Sequence, residues 1–90
     1  MNKMEVNMIS KEDIVEALQE IGVIERDEEN GLYAKIEDSL TYISTVVLLE
    51  EKFEIEFEDE QLIGTLFNSL DELTAIINQL TVAQMKDLYV

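Results

Sequence analysis

The segment KIEDSLTYISTVVLLEEKF, residues 35–53, places Asp38-Ser39-Leu40 directly before its apolar stretch. An aspartate at a helix start accepts hydrogen bonds from free backbone N–H groups and suits the positive end of the helix dipole. A serine in that position could instead offer its hydroxyl to a chemical group attached from outside. The tripeptide therefore predicts either a simple helix cap or an attachment point at Ser39.

Ser39 has no companions that would let the chain use it as a hydrolytic nucleophile. A nucleophilic serine needs a general base and an oxyanion hole. The sequence contains no histidine, no cysteine and no Gly-x-Ser-x-Gly turn. We therefore predict that the protein is not an enzyme, and we expect neither a disulfide nor a metal site.

The charge balance restricts the partners of this 90-residue chain. Twenty-one acidic residues against six basic ones give a net charge of −15, which disfavours nucleic acid and anionic membrane surfaces. No apolar run approaches a membrane span, and the N-terminus lacks the apolar core of a signal peptide. We expect a cytoplasmic monomer whose partners carry positive patches.

Helix signals position the Ser39 segment within an all-α fold. Ser10 and Asp13 have the spacing of a capping box, and Gly22 is a helix stop, so a first helix lies between them. A long polar loop follows over residues 23–37, with the turn signal Asn30-Gly31 inside it.

Three more helices are predicted after that loop. The second runs from about Asp38 to Phe53. The third is short and contains Leu62 and Leu66, and the fourth begins at Ser69. The prediction is a four-helix bundle with a long first loop and a short third helix.

One domain is predicted. Residues 10–80 form it, residues 1–9 are an N-terminal lead-in, and residues 81–90 are a C-terminal tail or a short extra helix.

A helical wheel divides the second helix into two faces. The predicted core face consists of Tyr42, Ile43, Val46, Leu49 and Phe53. The predicted outer side consists of Thr41, Ser44, Thr45, Leu48, Glu51 and Lys52, with Leu40 and Val47 on its shoulder. Since scattered exposed aliphatic residues are normal, Leu40, Val47 and Leu48 are either incidental or a small docking patch.

The arrangement around Asp38-Ser39-Leu40 resembles the acyl and peptidyl carrier protein family. The tripeptide matches the Asp-Ser-Leu attachment motif of that family, and Phe53 stands where the family has a core phenylalanine. The segments EIEFEDEQL and LFNSLDELTAIINQL resemble the approach to the family's third helix and its fourth helix. The likeness covers about residues 10–80.

The resemblance implies a function. Ser39 would receive a 4′-phosphopantetheine arm from coenzyme A, through a separate phosphopantetheinyl transferase that supplies the base and a magnesium ion. The thiol of the arm would hold acyl or aminoacyl cargo as a thioester and present it to loading and processing enzymes with basic docking surfaces. Asp38 would cap the helix beside the transferase's metal, and Leu40 would contact partners next to the arm.

The second helix is the main recognition surface of that family. The resemblance therefore favours docking for the residues on its outer side. The predicted partner contacts are Thr41, Ser44, Val47, Leu48 and Glu51.

Two departures from the family pattern indicate a specialised pathway. KIEDSL lacks the glycine that many members have before the motif, and Thr41 and Ser44 stand where many fatty-acid carriers have acidic residues. Nonribosomal peptide, polyketide or related biosynthesis is therefore the predicted setting.

Two other functions remain open. The chain could be an acidic helical interaction domain that is never modified, or an EF-hand-like calcium protein. An EF-hand frame with Gly31 at loop position six puts Glu37 at position twelve but Arg26 at position one, where calcium needs an aspartate.

Overall fold

The computed structural model describes residues 8–29 and 31–88, with side chains described through residue 84. Its elements in chain order are α1 (Lys11–Ile21), β1 (Ile24–Asp27), β2 (Gly31–Ala34), α2 (Ser39–Phe53), a short 3-10 helix (Asp59–Gln61) and α3 (Leu70–Leu88). Three α-helices and one two-stranded sheet make up the described fold. The predicted all-α four-helix bundle is therefore wrong.

The first helix begins and ends where the sequence signals predict. Ser10 Oγ accepts a hydrogen bond from the Asp13 N–H at 3.1 Å, and Asp13 Oδ2 accepts one from the Ser10 N–H at 3.2 Å, so the capping box is formed. Gly22 closes the helix in the left-handed region at φ 82°, where a side chain would be strained. Its N–H donates to the carbonyls of Leu18 and Gln19.

A β-hairpin occupies most of the predicted long loop. Its strands β1 and β2 pair antiparallel, from Ile24 opposite Ala34 to Asp27 opposite Gly31. Gly31 has φ 74°, which fits the predicted turn, while its neighbour Asn30 lies outside the described residues. All four residues of β2 are half-buried, whereas β1 is half-buried only at its two ends. Neither strand therefore has the alternation of inward apolar and outward polar residues that predicts a strand from sequence.

The predicted short third helix is also absent from the described residues. Only the 3-10 helix forms there, and Leu62 lies just beyond it with a side chain 36% exposed. Leu66 is buried, so the two leucines predicted for that helix differ in exposure and do not share a buried helix face. Gly64 and the β-branched Ile63 and Thr65 lie between them and disfavour a helix.

Side chains hold the extended segment before the 3-10 helix in place. Ile55 and Phe57 are buried, while the glutamates that alternate with them are exposed. Glu50 accepts a hydrogen bond from the Phe57 N–H at 3.0 Å. Gln84 of α3 bonds both backbone groups of Glu56, at 3.1 Å to the N–H and 3.0 Å to the carbonyl. The segment therefore gains from side chains the hydrogen bonds that a helix or sheet would supply.

α3 is longer than the predicted fourth helix. Ser69 Oγ accepts a hydrogen bond from the Glu72 N–H at 3.2 Å, as the sequence predicts for its start. The helix then runs without a break to Leu88, because neither glycine nor proline interrupts it. Residues 81–88 therefore continue α3 and do not form a separate short helix.

One hydrophobic core joins these elements, and α1 packs against both α2 and α3. The buried apolar residues are Ile14, Ala17, Leu18, Val23, Val46, Leu49, Ile55, Phe57, Leu66, Phe67, Leu70, Leu73, Ile77 and Leu80. No helix within the described part of the chain is long and apolar enough to cross a membrane.

Candidate attachment site and partner surface

Asp38 caps α2, as predicted. Its backbone is extended, at φ −133° and ψ 162°, and its Oδ1 accepts a hydrogen bond from the Thr41 N–H at 2.7 Å. Its carbonyl accepts the first bond of the helix, from the Tyr42 N–H at 3.0 Å. The bond from the Thr41 N–H is the main reason that the pKa of Asp38 is lowered, because it favours the charged carboxylate.

Ser39 is the first residue of α2, and its side chain is exposed. Within the described residues, its hydroxyl makes no hydrogen bond. The helix cap is supplied by Asp38, so the cap does not need the Ser39 hydroxyl. A free hydroxyl at this position is open to reaction with a group carried by another molecule.

Exposed apolar residues lie along one side of α2, beginning with the residue after Ser39. Leu40, Ile43 and Val47 are 74%, 58% and 43% exposed, and their spacing of three and four residues puts them on one side of the helix. Ser44 and Glu51 are exposed on the same side. We call these five residues the outer face.

The structure reverses the predicted exposure of two residues of α2. Ile43 was predicted for the core and is exposed, while Thr45 was predicted for the wet side and is fully buried. Thr45 can be buried because its hydroxyl donates to the Thr41 carbonyl at 2.7 Å, within the helix. The buried face is thus turned toward Thr45, and Leu48 and Thr41 become half-buried.

A second exposed apolar pair lies in the chain that follows the 3-10 helix. Leu62 and Ile63 are 36% and 53% exposed. The Tyr42 hydroxyl of α2 donates to the Ile63 carbonyl at 2.8 Å, and the Tyr42 ring packs edge-on against Phe67, with 5.4 Å between the ring centres. Tyr42 therefore joins this segment to α2. The hydropathy pattern placed Ile43 in the core and did not single out Ile63.

Carboxylates crowd the C-terminal end of α2 and the segment after it. Residues 51–60 contain six exposed acidic side chains and one basic residue, Lys52, which is paired with Glu20. The predicted partner residue Glu51 belongs to this group, whereas Glu50 is half-buried and bonded to the Phe57 backbone. A partner approaching this end of α2 meets strongly negative potential.

The EF-hand frame falls on the β-hairpin. Gly31 and Asp27 pair across the hairpin, so this part of the frame forms strands and not a loop of converging oxygen ligands. In the described residues, no group of three or more histidine, cysteine, aspartate or glutamate side chains is arranged to hold a metal ion.

Comparison of the chain with protein-family models, with curated protein sequences and with solved structures finds no match.

Proposed function

We propose that the chain is a carrier protein whose Ser39 hydroxyl receives a 4′-phosphopantetheine arm. The observation that carries the proposal is the separation of roles at the start of α2. Asp38 caps the helix, and the Ser39 hydroxyl stays exposed and without a hydrogen bond to any described residue. When bound, the arm supplies a thiol that holds acyl or aminoacyl cargo as a thioester.

The residues around Ser39 fit such a group. A phosphodiester on Ser39 would lie at the N-terminal end of a 15-residue helix, where the helix dipole favours negative charge. The neighbouring carboxylate of Asp38 opposes that charge, and the magnesium ion expected from the transferase would offset it. The chain would therefore depend on the transferase for modification, in agreement with its lack of histidine and cysteine.

The modification forms one bond to phosphorus, breaks another, and removes the serine proton. The Ser39 oxygen bonds to the phosphorus that carries pantetheine, the bond from that phosphorus to the adenosine bisphosphate portion of coenzyme A breaks, and the serine proton passes to a base of the transferase. The chain is the substrate of this step and supplies only an accessible hydroxyl.

The outer face of α2 is the proposed docking surface for the transferase and the cargo enzymes. It begins beside Ser39, its exposed apolar residues can be covered by a partner, and the acidic group at residues 51–60 attracts basic patches. Electrostatic attraction of this kind speeds encounter more than it tightens binding, which suits a carrier that must visit several enzymes.

Docking can be tested with two valine substitutions that are chemically identical. Val47→Glu lies on the outer face, and Val82→Glu lies on α3, with wild-type exposures of 43% and 39%. We expect Val47→Glu to slow the modification of Ser39 and Val82→Glu to leave its rate unchanged. Equal rates for both variants would remove the outer face from the proposal.

A specialised biosynthetic pathway is the proposed setting, because Thr41 and Ser44 follow Ser39 where acidic residues would suit a fatty-acid carrier. Nonribosomal peptide and polyketide assembly are the pathways in view. Efficient acyl elongation on the modified chain by a reconstituted fatty-acid synthase would overturn this part of the proposal.

Intact mass spectrometry tests the modification itself. The chain is incubated with coenzyme A, magnesium and a phosphopantetheinyl transferase of broad specificity, and we expect one phosphopantetheine to be added. Ser39→Ala should abolish the mass gain, and Ser44→Ala, which removes another exposed serine of α2, should preserve it. A gain that survives Ser39→Ala would refute the proposal.

An interaction domain that is never modified is the second candidate. The exposed apolar residues of the outer face favour it as much as they favour a carrier, since either protein needs a docking surface. No mass gain, together with binding of a partner that is lost in Val47→Glu, would select this function.

A further inference from the structure

The β-hairpin has one strand that is rich in charge and one that carries none. β1 reads IERD, and charged side chains of this kind keep an exposed strand edge from pairing with other chains. β2 reads GLYA, without a charged residue. The outer edge of β2 therefore lacks the protection that β1 has, and it is the edge open to a further strand.

The register of the hairpin identifies the backbone groups on that edge. The Lys35 N–H donates to the Val23 carbonyl at 2.7 Å, which extends the ladder by one pair beyond Ile24 and Ala34. Bonded and non-bonded pairs alternate in an antiparallel ladder, so the N–H and C=O groups of Leu32 and Ala34 point away from β1. Among the described residues, none bonds to these outward groups.

A groove lies beside this edge, between β2 on one side and α1 with the start of α3 on the other. It consists of two open cavities of about 580 and 370 Å³ that share Lys11 and Leu32. Leu32 and Tyr33 both line the larger cavity, although neighbouring side chains of a strand point to opposite faces. The cavity therefore follows the edge of β2 and not one face of the hairpin.

The side of the groove that α1 forms is acidic and partly apolar. Glu12 and Glu16 are exposed and line the smaller cavity together with the half-buried Val15 and Leu32. Within the described residues, neither glutamate has an ion pair. Lys11 also lines the groove, but it is already paired with a carboxylate of α3 at 3.2 Å. The groove therefore presents two negative charges without a basic partner among the described residues.

These features fit an extended segment with two basic side chains. Residues two apart in a strand are about 6.7 Å apart on one face, and residues four apart in a helix, such as Glu12 and Glu16, are about 6 Å apart along its axis. A strand with the pattern basic-x-basic can therefore set one basic side chain against each glutamate. The aliphatic stems of these side chains can cover Val15 and Leu32.

The composition of the chain excludes a second copy as the source of this segment. No two of its six basic residues are separated by a single residue, so the chain has no basic-x-basic pattern. Two copies with a net charge of −15 each also repel one another at an acidic groove. The segment must therefore come from a different protein.

We propose that the groove binds a basic-x-basic segment of another protein as a third strand on β2. The backbone of the segment bonds to the outward groups of Leu32 and Ala34, and its basic side chains pair with Glu12 and Glu16. In this mode main-chain bonds provide affinity and alternate side chains provide selectivity. The groove shares no residue with the outer face of α2, and the proposal does not depend on the modification of Ser39.

Hydrogen exchange of the full chain, followed by nuclear magnetic resonance, tests strand addition at single amides. The probe is a peptide of sequence TVKVKVT with both ends blocked. The Tyr33 N–H points toward β1, so the amides of Leu32 and Ala34 should exchange faster than it in the free chain and slow by about tenfold or more at saturating peptide. Absence of binding, or bound peptide with unchanged exchange at Leu32 and Ala34, would overturn the proposal.

Two methylated peptides separate strand addition from attraction of charge alone. One carries N-methyl groups on its valines and the other on its lysines, so both keep the two positive charges. Only alternate N–H groups of an added strand face β2, and we expect the peptide methylated on that set to bind at least about tenfold more weakly than the other. Equal affinity of the two methylated peptides would contradict strand addition.

Glutamine substitutions test the location. Glu12→Gln combined with Glu16→Gln should weaken binding of the unmethylated peptide about threefold or more, through the loss of two exposed ion pairs. Glu56→Gln combined with Glu60→Gln is the matched control, since it removes the same charge from two exposed residues that are also four apart. The control should leave the dissociation constant unchanged. Equal weakening by both double variants would overturn the groove as the binding site.

Discussion

Leu49→Ala and Ile43→Ala distinguish the two faces of α2, because the structure places one residue in the core and the other outside it. Leu49 is fully buried in the core cluster, whereas 58% of Ile43 is exposed. Truncating a buried leucine to alanine costs about 2–5 kcal/mol. That loss is a large part of the roughly 5–14 kcal/mol expected for a domain of this size.

Ile43→Ala should cost far less. Full burial of an isoleucine side chain is worth about 1.5–3 kcal/mol, and Ile43 has less than half of its surface buried. Alanine also has the higher helix propensity, which offsets part of the loss. The net decrease in the free energy of unfolding should be about 0.5 kcal/mol or less.

Urea unfolding followed by far-ultraviolet circular dichroism measures both changes. With a slope of about 1–2 kcal/mol per molar urea, the Leu49→Ala midpoint should fall by at least about 1 M and the Ile43→Ala midpoint by no more than about 0.5 M. Both slopes should match that of the wild type. Equal losses, or a larger loss for Ile43→Ala, would refute the orientation of α2 and the outer face built on it.

Predictions at three further residues use the same unfolding assay or a local probe. Asp38→Ala removes the cap of α2 and should lower the urea midpoint at neutral pH. Because the folded-state pKa of Asp38 is lowered, the charge-dependent part of this difference should be present above about pH 4 and be lost as the pH falls through that pKa, and a difference that does not shrink in acid would contradict it. Tyr42→Phe keeps the ring but loses the bond to the Ile63 carbonyl, so it should cost about 0.5–1.5 kcal/mol, and an unchanged midpoint would show that the bond contributes nothing. Burial raises the pKa of Tyr42, so its phenol absorbance should titrate above the usual value near 10, and its stabilising contribution should be lost as the pH rises through the raised pKa. The Asn78 side chain accepts a hydrogen bond from the Ile9 N–H and donates one to the Ile9 carbonyl, so Asn78→Ala should accelerate hydrogen exchange at the Ile9 amide, and unchanged protection would contradict its hold on that segment.

The helix ends were predictable because their signals are local. Ser10, Asp38 and Ser69 each accept a hydrogen bond from a backbone N–H in the first turn of the helix that follows, and Gly22 adopts the left-handed conformation that stops α1. A cap needs only residues within one turn of each other, so the sequence carries all the information required. The start of α2 at Ser39 follows from the same rule.

The hairpin and the segment after α2 depend on contacts far apart in sequence. The strands are four residues long, β1 is rich in charge while β2 has no charged residue, and their pairing stabilises them without a clear apolar pattern. The backbone of Glu56 is held by Gln84, twenty-eight residues away. Propensity and periodicity contain no information on such pairings, so the first appeared as a loop and the second led into a predicted helix.

The orientation of α2 was missed for a chemical reason. A hydropathy pattern ranks isoleucine above threonine for burial, which favoured Ile43 over Thr45. The pattern does not count the hydroxyl of Thr45 as satisfied, although a threonine in a helix can donate to the carbonyl four residues before it, here that of Thr41. The same error hid the exposure of Ile43, and with it the outer face as the structure shows it.

The location of the modification tests the central proposal most directly. After incubation with coenzyme A, magnesium and the transferase, the chain is digested, and fragmentation of the peptide that contains both Ser39 and Ser44 assigns the added mass to one residue. We predict one phosphopantetheine on Ser39 and none on Ser44. An unmodified peptide, or the arm on any residue other than Ser39, would contradict the proposal that this chain is a carrier that displays its attachment serine at the start of α2.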